Sequence, residues 1–139
     1  CPLAMMPPPT PVPMMNTAAL QQSFSAPFAS SAMAAGIGRM REVCGAVSGM
    51  LLVAGMLYGY SDPTSREEKR ETYALVQRLA ARFRQENGSI VCRELLGLAS
   101  KELSPEPTPR TAEFYRKRPC GDLVYQAASL LEELGEKPE

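Results

Sequence analysis

The chain has 139 residues, with 15 basic residues balancing 15 acidic ones, and it has no histidine and no tryptophan. That length fits one domain able to bury a core without disulfides, and the balanced charge leaves no electrostatic footprint for nucleic acid. Without imidazole there is no Ser-His or Cys-His nucleophile pair and no zinc site that needs histidine. The chemistry left open rests on four cysteines: Cys1, Cys44, Cys92 and Cys120.

Residues 1 to 38 carry no charge and hold seven of the thirteen prolines and five of the eight methionines. The run PPPTPVP (7 to 13) excludes a helix interior, because proline removes a donor and clashes with the preceding turn, and it reads as extended or polyproline-like. NTAALQQSF (16 to 24) reads as a short helix capped by Asn16 or Thr17. The chain opens on Cys1 with no basic start, which reads as a trimmed start rather than a secretory signal. A lipoprotein's mature N-terminal cysteine is the alternative.

From Arg39 onward the pattern is helical. Residues 41 to 59 read as a long, almost wholly apolar helix, expected to be buried on most sides. Its uncharged run over 43 to 60 is 18 residues, about 27 Å of helix, near the lower limit for crossing hydrocarbon. Gly45 and Gly49, and again Gly55 and Gly59, have the small-xxx-small spacing of membrane helix pairs. The amphipathic neighbours favour a soluble bundle instead.

The next helix starts after SDPTS, whose Asp62, Thr64 and Ser65 are capping types with Pro63 suited to a first turn. It runs to about Glu86. Thr72, Leu75, Val76, Leu79 and Phe83 form its buried stripe, and Asn87-Gly88 stops it. Ser89 is expected to cap a short helix over 90 to 96, ended by Gly97. LSPEPTPR (103 to 110) reads as a loop. A last helix spans about 119 to 134, with Leu123, Val124, Ala127, Leu130, Leu131 and Leu134 on its apolar face. No strand alternation and no repeat is visible. The fold class is all-α: a small helical bundle around a central apolar Gly-rich helix, in one domain, with an uncharged segment over 1 to 35 and a helical core over 36 to 139.

The cysteine spacings of 43, 48 and 28 residues exclude a CxxC pair or a zinc knuckle, so any joint site is assembled by the fold. Cys44, Cys92 and Cys120 share a context: each lies at or near a predicted helix start, with Arg41, Arg93 and the Arg116-Lys117-Arg118 run nearby. Free N–H groups and the dipole at a helix start favour a thiolate, the form that binds metal or exchanges disulfides. The competing reading is of buried thiols acting as small hydrophobes.

The order Cys, CGAxxG, Cys, Cys resembles the four-cysteine redox-protein family named C_GCAxxG_C_C after that pattern. The resemblance is carried by GIGRMREVCGAVSGMLLVAGMLYGY (36 to 60), FRQENGSIVCRELLG (83 to 97) and EPTPRTAEFYRKRPCGDLVYQAASLLEEL (106 to 134). By it, Cys44, Gly45, Ala46 and Gly49 are the CGAxxG motif, Cys92 and Cys120 are the third and fourth cysteines, and Cys1 stands for the first. Related sequences resemble the C-terminal part of split-Soret cytochromes, which carry haem and an iron–sulfur cluster. With no CxxCH and no histidine, c-type haem attachment is not supported here.

Three functions follow as alternatives. The first is an electron-transfer protein in which Cys1, Cys44, Cys92 and Cys120 ligate an iron–sulfur cluster, 2Fe–2S in type, since four thiolates are the ligand count it needs. Gly45 and Gly49 would then let backbone or sulfide approach closely, with Arg41 and Arg93 as nearby charges. The second is a cofactor-free thiol–disulfide protein or an all-cysteine zinc protein. The third is a helical interaction or membrane-associated protein with inert cysteines. Catalytic residues are unknown, and whether the protein is an enzyme stays open. The expected setting is cytoplasmic, with an unidentified redox partner, no nucleic acid, no membrane and a homodimer as an open assembly.

Overall fold

The computed structural model describes residues 30–98 and 104–136. The expected proline-rich segment, the helix over 16 to 24 and the position of Cys1 lie outside the described residues. A 3-10 turn, Ser30–Met33, leads into α1 (Ala34–Ile37), followed by α2 (Gly45–Tyr58), α3 (Arg66–Asn87), α4 (Cys92–Leu95), α5 (Ala112–Lys117) and α6 (Cys120–Glu136). Among the described residues there is no strand, only one isolated antiparallel bridge between Val43 and Val91.

The bundle is built from α2, α3 and α6, which pack pairwise against one another. Each donates three residues to one core: Val47, Met50 and Ala54; Leu75, Leu79 and Phe83; Leu123, Ala127 and Leu130. Phe83 and Val47 are completely buried, and burying such side chains is worth about 1.5–3 kcal/mol apiece. An ion pair from Arg82 to Glu133 at 3.2 Å ties α3 to α6 at the exposed edge.

The sequence signals at the ends of α3 hold in detail. Ser65 caps it, its side chain accepting from the Glu68 amide, and Gly88 ends it in the left-handed conformation at φ 90°. The stripe on α3 is narrower than expected, since Leu75, Leu79 and Phe83 are buried while Thr72 and Val76 are half-buried.

Several expectations change. The helix expected from residue 41 starts at Gly45, because residues 35 to 41 take a different backbone. That helix is also not buried on most sides. Only two long helices pack on it, so its outer face stays uncovered among the described residues, with Leu52, Val53, Met56 and Leu57 exposed. A Cβ on Gly55 would meet nothing within 4 Å, so no neighbouring helix among the described residues uses the space it leaves. No helix among the described residues is long and apolar enough to cross a membrane. On α6, Val124 is 57% exposed rather than part of the buried face. The region after the loop contains a helix that apolar periodicity does not reveal: Thr111 accepts from the Phe114 amide and caps α5.

Candidate functional site

The backbone before α2 is unusual. Ala35, Gly36, Ile37, Gly38, Arg39 and Arg41 all have φ between 56° and 69°. For the four non-glycine residues this conformation costs roughly 1–2 kcal/mol each, and a β-branched residue such as Ile37 adopts it rarely. Strain of this kind persists only where surrounding contacts hold it.

Here the holding contacts run to the segment before α4. The Glu42 amide donates to the Gly36 carbonyl at 3.0 Å, the Cys92 amide to the Glu42 carbonyl at 2.6 Å and the Cys44 amide to the Ile90 carbonyl at 2.8 Å. Gly36 is wedged beneath this pairing. A Cβ there would lie 2.5 Å from the Cys92 Cβ and 2.9 Å from the Arg41 Cα. Only glycine fits both the space and the φ.

This pairing brings two of the cysteines together. Cys44 and Cys92 each follow one member of the Val43–Val91 bridge, and so sit diagonally across it. Cys120 joins from the start of α6, and all three cysteines line one cleft of about 840 Å³. They are free thiols; Cys92 is buried, Cys44 half-buried and Cys120 exposed. Among the described residues, no three His, Cys, Asp or Glu side chains meet as a preformed set of metal ligands.

The electrostatics of the cleft are one-sided. Arg39, Arg41, Arg110 and Arg118 line it, and no acidic residue among the described ones does. Arg41 is 4% exposed. Its Nη1 donates to Cys92 Sγ at 3.9 Å, while its Nε has no hydrogen-bond partner. No carboxylate among the described residues pairs with it, and a buried charge without an anionic partner is costly. Arg93, the other candidate charge, is turned away. It pairs with Glu42 at 3.2 Å and bonds the Arg41 carbonyl, outside the cleft lining.

The expectation that every helix start would favour thiolate fails at Cys44. Burial pushes its thiol up from the ordinary value of 9.0, and the nearby Cys92 and Cys120 add to that. The Ala46 and Val47 amides make no capping hydrogen bond to the sulfur by distance and angle, yet they still pull the other way. Desolvation is the largest effect, so it outweighs the helix start. The proposed cap for α4 is also displaced. Ser89 Oγ accepts from the Val91 amide in a local turn, and Val91 takes the N-cap position.

Both motif glycines line the cleft. A Cβ on Gly45 would stand 3.0 Å from the Met33 carbonyl oxygen, so part of its space is taken by the 3-10 turn. At Gly49 nothing lies within 4 Å, and the space is open. Sequence reasoning missed Arg39, Arg110 and Phe114 as lining residues. Arg39 holds the loop to the cleft by donating to the Ser104 carbonyl and to Thr108 Oγ1. The available signal for Phe114 was the helix AEFYRK behind Thr111, acidic at its start and basic at its end.

The family model described as "Putative redox-active protein (C_GCAxxG_C_C)" matches residues 14–134. The match spans most of the chain, and the chain belongs to this family. No curated protein and no solved structure matches the chain.

Proposed function

We propose that this protein transfers electrons through a thiolate-ligated iron–sulfur cluster of the 2Fe–2S type, held by Cys44, Cys92 and Cys120 with Cys1 as the fourth ligand. The observation that carries the reading is Arg41: a buried guanidinium, its Nε unpartnered, beside Cys92 in a cleft lined by three thiols and, among the described residues, no carboxylate. A group ligated by thiolates is anionic, and it supplies the negative charge that this guanidinium lacks.

The donor set fits such a group in softness and in charge. Sulfur donors without imidazole or carboxylate suit iron–sulfur clusters and zinc. Once bound, a cluster supplies one-electron chemistry at a potential set by hydrogen bonds, charge and solvent exposure around its sulfurs. The chain's own contribution is visible in its residues. The bridge sets Cys44 and Cys92 diagonally across it, Gly36 allows the close approach that holds them there, and Arg41 donates to Cys92.

The test is anaerobic purification of the full chain, with visible absorption and iron and sulfide analysis. Coloured protein with stoichiometric iron and sulfide, lost in Cys44→Ser, is the expected result. Colourless protein that carries zinc, or that carries no metal and titrates as free thiols, overturns the reading.

A further inference from the structure

The cleft is larger than its thiol end. Two guanidiniums in its lining are held against one aromatic ring: Arg110 lies 4.9 Å and Arg118 5.1 Å from the centroid of Phe114. Neither makes an ion pair among the described residues. The ring face holds both, but two like charges so close repel each other, and an anion shared between them would offset that repulsion. No carboxylate among the described residues lines this cleft.

Much of the remaining lining is apolar. Val53 on α2 and Val124 on α6 are 40% and 57% accessible, and Met50 and Leu131 also line the cleft. A volume of about 840 Å³ falls in the range of small-molecule sites, roughly 300–1,000 Å³, which are mostly apolar with a few convergent polar groups. Stacking on Phe114 restricts both guanidiniums, so less freedom is lost when they close on an anion.

We propose that this cleft is a binding site for a small organic anion. The ligand has a carboxylate, phosphate or sulfonate head held by Arg110 and Arg118, and an apolar body lying against Val53 and Val124. The inference stands beyond the cluster reading and does not depend on it.

The test uses two fluorescent probes on the folded full chain, anilinonaphthalene sulfonate and the neutral N-phenylnaphthylamine. The sulfonate is expected to bind saturably. Arg110→Gln/Arg118→Gln is expected to weaken it by about a hundredfold, about tenfold for each charge-assisted contact removed, with little change for the neutral probe. Removing two charges from the solvent face of α3, Arg78→Gln/Arg84→Gln, is expected to leave sulfonate binding as in the wild type. If the double arginine variant loses its cooperative melt, the two single variants carry the test, each weakening the sulfonate by about tenfold. Equal loss in the α3 variant, equal affinity for the neutral probe, or no saturable binding overturns the proposal. Repeating the titration on Cys44→Ser separates the two readings, because sulfonate binding is expected to survive where a cluster does not.

Discussion

Gly36 is the residue on which the thiol arrangement turns. It combines φ of 69° with a Cβ position 2.5 Å from the Cys92 Cβ. Gly36→Ala is expected to lower stability by about 1–3 kcal/mol from left-handed strain and overpacking together, read as a lower urea midpoint. A midpoint equal to the wild type would show that the wedge does not hold the bridge. Cys44 sets a second expectation. Its thiol is raised by burial, so its contribution to the metal-free fold is complete below the ordinary thiol value of 9.0 and is lost as pH rises through the raised one. The urea midpoint of the metal-free protein should therefore fall with rising alkaline pH, and less steeply in Cys44→Ser. The same shift makes metal uptake release protons and strengthen with pH.

At the scale of elements, much of the fold was legible. Leu75, Leu79 and Phe83 recur at helical spacing, and Ser65 and Gly88 are cap residues with local geometry, so α3 could be read from the chain alone. The start of α2 could not. Helical periodicity is silent about residues 35 to 41, whose left-handed run depends on hydrogen bonds to residues 90 to 93, some fifty positions away. The same holds for α2's exposure: an all-round apolar pattern says nothing of how many neighbours arrive. Phe83 tests the shared core directly. Phe83→Ala is expected to cost about 3–5 kcal/mol, seen as a loss of melting temperature, because α2, α3 and α6 meet around it. A loss below about 1 kcal/mol, the scale of an exposed position, would mean the three helices do not share one core.

At the scale of the molecule, the candidate site was half legible. The cysteines stand out in a histidine-free chain, and the CGAxxG motif marks the stretch beside Cys44. Their meeting in one cleft is a tertiary event, made by the Val43–Val91 bridge and the arrival of α6. The arginine lining was hidden for the same reason. Arg39, Arg41, Arg110 and Arg118 are scattered over 80 residues of a chain with no net charge. Only the fold gathers them in one lining, with no carboxylate among the described residues beside them. The family is described as "Putative redox-active protein", and three of the chain's thiols line one cleft.

Thiol protection in the anaerobically purified protein measures most directly whether those thiols share one bound group. Alkylation with N-ethylmaleimide, followed by mass spectrometry, reads each cysteine before and after removal of bound metal by a chelator. Cys44, Cys92 and Cys120 should be protected together in the loaded protein and should all react once the metal is stripped. Exposed Cys120 is the most telling of the three, since burial alone gives it no protection. If Cys120 reacts at the same rate before and after chelation, the three thiols do not share one bound group.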